Sequence, residues 1–111
     1  MIPSDILRGH TDTIILARLA EGDSYGYIIN KTVREKTQGA FEFKEATLYQ
    51  AFRRLEQAGL ITSYWGGEAT GARRRYYSLT DAGRAMYAQN VHDWQRAKDM
   101  IDRLIGMEGE Q

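Results

Sequence analysis

A change in the spacing of apolar residues at Gly59 most constrains how this chain can fold. Before Gly59, apolar residues recur three or four positions apart, as on one face of a helix. From Ile61 to Leu79 the period is two, over two runs separated by the glycine-rich, polar stretch GGEATGAR. Helical spacing returns after Thr80, whose hydroxyl is the expected N-cap of the last helix. The sequence therefore predicts a β-hairpin enclosed between helices, in a mainly α (α+β) fold.

Two helices are predicted in the first part of the chain. The first runs from Asp5 to about Ala20, where Glu-Gly-Asp ends the apolar pattern. The second begins after Ser24, whose hydroxyl is a good N-cap, and ends before Gln38.

The third predicted helix, residues 44–59, is ended by Gly59 and has an apolar side and a polar side. The apolar side consists of Leu48, Ala51, Phe52, Leu55 and Ala58. The polar side offers an aromatic hydroxyl, neutral amides and guanidinium groups without a carboxylate. Such groups form hydrogen bonds with base edges and with phosphates, which favours a DNA-binding helix. For this helix alone, the alternative interpretation is an ordinary amphipathic helix whose polar face is only solvated.

Composition limits the classes of protein that fit. With 111 residues and 42% hydrophobic content, the chain is expected to be one domain without a separate catalytic unit. The chain has no cysteine, which excludes disulfides and thiolate sites. A formal net charge of zero argues against a general polyanion binder. However, the adjacent Arg73, Arg74 and Arg75 form a local patch able to contact phosphate.

Catalysis and metal binding are not expected. The Ser, Asp and Glu residues form no nucleophile, base and orienter set. His10 and His92 have no partner at ligand spacing, so neither a metal nor a cofactor is predicted, and both are expected to be solvated. No membrane span or signal peptide is visible, so we place the protein in the cytoplasm.

The order of elements is that of a winged helix-turn-helix with a two-stranded wing (residues 1–79), followed by a long dimerisation helix (80–105). Residues 106–111 are expected to be disordered. In such a fold the third helix enters the major groove and the hairpin reaches an adjacent groove or the backbone. Arg54 lies nearer the buried side, so a structural role is as reasonable as a DNA contact. The predicted DNA-binding residues are Lys44, Thr47, Tyr49, Gln50, Arg53, Arg73, Arg74 and Arg75.

The last helix carries a heptad-like apolar seam. Its members are Tyr87, Val91, Trp94, Ala97, Ile101 and Leu104. A domain of this size has little spare core in which to bury Trp94. The seam therefore predicts a homodimer through the same helix of a second copy. We also expect the N-terminal helix to pack at the dimer interface.

Three stretches carry a resemblance to a known family: DSYGYII, EATLYQAFRRLEQAGLITSYW and GARRRYYSLTDAGR resemble the PadR family of bacterial transcriptional regulators. With one helix after the wing, the chain is similar to the short branch and looks like the lactococcal multidrug-resistance regulators. The resemblance implies a homodimeric repressor bound to operator DNA, with a central pore where paired tryptophans stack planar aromatic compounds. Trp94 matches that tryptophan. The surrounding ligand-binding residues implied by the match are Ile6, Gly9, Asp12, Thr13, Met86, Asn90 and Lys98.

Three alternatives stay open. Trp94 is explained equally well by packing between subunits without a ligand. Lys98 stands at a position where the branch that the chain resembles has an acidic residue. The positive charge of Lys98 disfavours cationic compounds unless Asp12, Asp93 or Asp99 neutralises that charge. For the whole chain, the alternative is a winged-helix protein-interaction module that binds neither DNA nor ligand.

Overall fold

The computed structural model describes residues 7–67 and 73–107. The helices are α1 (Thr11–Ala20), α2 (Gly26–Lys36), α3 (Glu45–Gln57) and α4 (Asp81–Leu104), and the strands are β1 (Ser24–Tyr25), β2 (Ile61–Gly66) and β3 (Arg74–Leu79). This order confirms the predicted mainly α (α+β) winged helix with a long C-terminal helix. No described helix is both long and apolar enough to cross a membrane.

The sheet has three strands rather than the two of the predicted hairpin. β3 lies in the centre, antiparallel to β2 on one side and to β1 on the other. Ser24 pairs with Tyr77 in this sheet, so its prediction as a helix N-cap is wrong. Tyr25 occupies the N-cap position of α2 instead and makes no side-chain cap. The chain is extended here because its backbone pairs with β3, a contact that local residue types do not reveal.

The predicted first helix is interrupted. Leu7 and Arg8 are helical, Gly9 and His10 form a turn, and α1 starts after His10. Glycine favours such a break because it gives up more backbone freedom in a helix than any other residue.

The core lies between α1, α2, α3 and the sheet. The predicted apolar side of α3 is confirmed except at Ala58, which is exposed beyond the end of the helix. In α4 the buried residue is Gly83, whose amide donates to the N-cap hydroxyl of Thr80 over 3.0 Å as predicted. The buried core residues are Ile15, Leu16, Leu19, Ile29, Val33, Phe43, Leu48, Ala51, Phe52, Leu55, Ile61 and Tyr77.

Glycines with left-handed backbone follow both α3 and α4. Gly59 has a φ of 77° and Gly106 a φ of 82°, as is common just past the end of a helix. After α4, the Met107 amide donates to the carbonyl of Asp102 over 2.6 Å. Gly106 and Met107, which we assigned to a disordered tail, are therefore part of the helix cap. Residues 108–111 lie outside the described residues.

Candidate functional site

The polar side of α3 is exposed along the helix. Because Leu48, Ala51, Phe52 and Leu55 turn inward, the other positions between Leu48 and Leu55 face away from the core. Lys44 is the N-cap residue, with extended backbone, so its side chain sits where the helix dipole is positive. The predicted DNA-binding residues of this segment are all exposed: Lys44, Thr47, Tyr49, Gln50 and Arg53.

Tyr49 also contributes to packing. Its ring meets Phe52 edge to face, with centroids 5.4 Å apart. A Cβ built on Gly26 would lie 2.5 Å from the Tyr49 hydroxyl oxygen, so this oxygen rests against the first turn of α2. Sequence reasoning missed Gly26, and the only available signal was a glycine at the start of a predicted helix. Tyr49 therefore joins α3 to α2 and leaves part of its ring exposed.

Arg54 forms an ion pair with Asp12 in the first turn of α1. This contact favours the structural role over the DNA contact for Arg54. It also places Asp12, expected near a ligand, against α3. Both side chains are partly exposed, so water and salt screen the pair.

The three adjacent arginines are divided between the two faces of the hairpin. Arg73 precedes β3, and Arg74 and Arg75 are its first two residues. Neighbouring strand residues point to opposite faces. Accordingly, the Arg73 and Arg75 guanidinium carbons lie 5.0 and 5.6 Å from the ring centroid of Trp65, while that of Arg74 lies 5.1 Å from the ring of Tyr25.

Glu56, near the end of α3, connects the helix to the hairpin. Its Oε2 atom accepts a hydrogen bond of 2.7 Å from the Ser63 hydroxyl and lies 3.8 Å from Nη2 of Arg75. The neighbouring Tyr77 packs parallel to Phe52, with ring centroids 4.0 Å apart. Burial raises the pKa of Tyr77, and the nearby Arg75 opposes that rise.

Tyrosines form a row across the outer face of the sheet. Tyr76 lies between Tyr25 and Tyr64 in register. It stacks on Tyr64 at 5.6 Å and meets Tyr25 edge to face at 5.1 Å, so the row consists of cross-strand aromatic contacts. The Tyr64 hydroxyl donates to Asp23 over 2.7 Å, and this hydrogen bond raises the pKa of Tyr64.

Trp94 in α4 is 46% exposed and meets His10 edge to face, with centroids 4.9 Å apart. The expectation that His10 is solvated is therefore wrong, since its ring is partly buried against the indole. Lys98 pairs with Asp102 at 3.1 Å, a partner that we did not predict although its i,i+4 spacing on α4 is the sequence signal for such a pair. Asp12, expected to neutralise Lys98, pairs with Arg54 instead.

The other residues implied for a ligand site lie on α1, α4 and the turn before α1. Gly9 is exposed in that turn, and Thr13 is partly buried in α1. In α4, Met86 is exposed and Asn90 is partly buried. Ile6 lies outside the described residues. Within residues 7–67 and 73–107, no group of three or more His, Cys, Asp or Glu residues is arranged to hold a metal ion.

The first half of the apolar seam of α4 is partly buried within one protomer, and the second half is exposed. Tyr87 is partly buried and packs against the core of its own chain, and Val91 is partly buried. Further along, Trp94 and Ala97 are exposed. The exposed fraction rises to 54% at Ile101 and 80% at Leu104. The second half of the seam thus presents apolar surface to solvent.

Comparison with known proteins agrees with this architecture. The sequence profile of the transcriptional regulator PadR-like family matches residues 15–89. The structure of a transcriptional regulator from Clostridium thermocellum is 48% identical, with a TM-score of 0.85 over 93% of this chain and 97% of that chain. The crystal structure of a PadR family transcription regulator from Clostridium difficile is 36% identical, with a TM-score of 0.77 over 86% and 98%.

A third relative is longer than this chain. The negative transcriptional regulator PadR of Bacillus subtilis is 30% identical over 80 residues. The match covers 72% of this chain and 42% of the relative.

Proposed function

Because the chain belongs to the transcriptional regulator PadR-like family, we propose that it is a DNA-binding repressor that reads its operator with α3. The observation that carries the proposal is the exposed polar face of this helix, with Gln50 and Arg53 one turn apart. The name of the Bacillus subtilis relative, a negative transcriptional regulator, supports repression rather than activation.

Each side chain of the face suits a particular DNA group. The Gln50 amide is matched to the N6 and N7 atoms of adenine, and the Arg53 guanidinium to O6 and N7 of guanine or to phosphate. Lys44 and Thr47, near the positive end of α3, suit a backbone phosphate. The part of Tyr49 that is exposed can approach the same backbone.

The active species in this proposal is a homodimer joined through α4. The helix has 24 residues and is therefore about 36 Å long. It extends the chain to a radius of gyration of 15.8 Å, against roughly 13 Å for a compact chain of this length. Two-fold symmetry through this helix would present two α3 helices to half-sites ~34 Å apart.

A planar aromatic small molecule is the proposed effector, as in the lactococcal multidrug-resistance regulators that the sequence resembles. The half-exposed indole of Trp94 supports this proposal, and the Lys98–Asp102 pair reduces the repulsion of cationic compounds. Bound ligand would change the angle between subunits and so the spacing of the two α3 helices.

Tryptophan fluorescence tests the effector. Titration with varied planar aromatics should quench the emission of the wild type and of Trp65→Phe, but much less that of Trp94→Phe. A flat response across a chemically varied set would leave Trp94 with a packing role alone.

Operator binding is tested by gel shift with the gene's own upstream region at two salt concentrations. Arg53→Ala should weaken binding by about 1–3 kcal/mol if Arg53 contacts a base. Alanine at Arg73, Arg74 and Arg75 together should reduce the slope of log K against log salt by about 0.9 for each phosphate that the variant no longer neutralises. Arg103→Ala, at the far end of α4, is the control for removal of one charge.

Two results would contradict this proposal. If wild-type protein gives no shift at low salt, the protein-interaction module becomes the better account. If it binds but neither arginine variant changes binding, α3 and the wing are not the contact surface.

A further inference from the structure

Trp65 is an unusually large apolar side chain for its place on the hairpin. It lies in β2 with 51% of its surface exposed, outside the hydrophobic core. The adjacent Tyr64 belongs to the tyrosine row on the other face of the sheet. Among the described residues, no aromatic ring packs against Trp65 as Tyr76 packs against Tyr64. Its described neighbours are instead the guanidinium groups of Arg73 and Arg75.

The register of the hairpin explains this arrangement. Arg75 is directly opposite Trp65 in the β2 and β3 pairing. Arg73 lies two positions earlier along the chain, on the same face and diagonal to the indole. Both guanidinium carbons are within the distance at which a cation is attracted to an indole face. One ring therefore holds two cations.

Charge explains why this ring matters. Two guanidinium groups that share one ring repel each other, and solvent screens part of this repulsion at the exposed site. The negative face of the indole offsets part of that repulsion. Glu56, itself held by Ser63, offsets more of it beside Arg75. Arg75 is thus held between Glu56 and Trp65, and Arg73 has the ring as its described cation–π partner.

We propose that Trp65 is a positioning residue for the wing, whose indole ring holds Arg73 and Arg75 together on one face of the hairpin so that both can contact DNA phosphate. The proposal rests on the DNA-binding function proposed above. An arginine already ordered on a ring loses less rotamer freedom when it contacts a phosphate. Arg74, which lies over Tyr25 on the other face, does not depend on Trp65.

The first test uses the free protein and needs no DNA. Protons of a side chain above an indole ring resonate upfield in NMR spectra. The Hδ resonances of Arg73 and Arg75 should be upfield in the wild type, move toward ordinary positions in Trp65→Leu, and remain partly shifted in Trp65→Phe. The resonances of Arg74 should not follow this pattern. Unchanged Arg73 and Arg75 shifts in Trp65→Leu would overturn the proposal.

The second test is a mutant cycle measured by binding to the upstream DNA. Trp65→Leu keeps an apolar side chain and removes the ring, so it should weaken binding about two- to fivefold for each protomer bound. Trp65→Phe should restore most of the affinity. In the Arg73→Ala/Arg75→Ala background Trp65→Leu should have no further effect, whereas in the Arg74→Ala background its full effect should persist.

Thermal unfolding of each variant separates positioning from folding, since a merely structural role would lower stability and DNA affinity equally in all backgrounds. If the wild type binds DNA while Trp65→Leu and Trp65→Phe have the same affinity as each other, the positioning role is overturned and the proposed function stands. If wild type does not bind at all, the proposed function fails, and with it the DNA-directed role of Trp65.

Discussion

At Gly83, the absence of a side chain lets the first turn of α4 lie against the segment that links α3 to β2. A Cβ at this position would collide with the backbone carbonyl oxygen of Leu60 and with Cδ1 of Leu79. The carbonyl cannot move aside without shifting the start of β2. Gly83 is therefore a contact point between α4 and the winged domain.

Gly83→Ala should lower the free energy of unfolding by about 1–3 kcal/mol through overpacking. At a solvent-exposed helix position the same substitution would raise the free energy of unfolding by about 1 kcal/mol, because alanine has the higher helix propensity. Urea unfolding measures the difference. Ala82→Gly, at the exposed neighbouring position, is the control and should cost only the helix-propensity difference. Equal or greater stability of Gly83→Ala would show that the close approach to Leu60 is not maintained in solution.

Single residues were predictable where their role is local. Thr80 and Gly59 act on backbone within a few positions, so residue type alone identified them as a cap and a terminator. Ser24 was assigned to a cap because its pairing partner, Tyr77, lies more than fifty positions away. His10 was likewise misassigned, because its contact with Trp94 spans most of the chain.

Between elements, the Asp12–Arg54 pair joins the first turn of α1 to α3. Its two side chains are 39% and 57% exposed, so the pair should contribute no more than about 1 kcal/mol. A double-mutant cycle with Asp12→Asn and Arg54→Gln, followed by urea unfolding, measures that coupling. The coupling should fall as salt is added, because screening weakens an exposed pair. A coupling indistinguishable from zero at low salt would remove this link between α1 and α3.

At this scale the sequence predicted the helices and the hairpin because their apolar periods extend over many residues. The two-residue strand β1 is too short to show a period, and its existence depends on β3. The division of the arginines between two faces depends on where β3 begins. The predicted loop stretch GGEATGAR ends at Arg73, which agrees with the start of β3, but composition did not indicate which ring each arginine contacts.

For the molecule as a whole, the exposed second half of the α4 seam predicts a dimer. Light scattering of wild type at micromolar concentration should give twice the chain mass of 12.7 kDa. Ile101→Glu/Leu104→Glu should give the monomer, because burying two carboxylates without partners is costly. Met100→Glu, also exposed on α4 but outside the seam, is the matched control and should remain dimeric. A monomer mass for wild type would remove both the dimer and the proposed effector site.

The ion pair of Arg54 with Asp12 bears on how such a regulator would distribute over a genome. A chromosome offers about 10⁶–10⁹ competing sites, to which a protein adheres chiefly through cations that replace counterions. Arg54, on the helix proposed to read DNA, already has a carboxylate neighbour, and the chain has no net charge. Residence on unrelated DNA should therefore be brief, which leaves more of the regulator available to its operator at low cellular copy number.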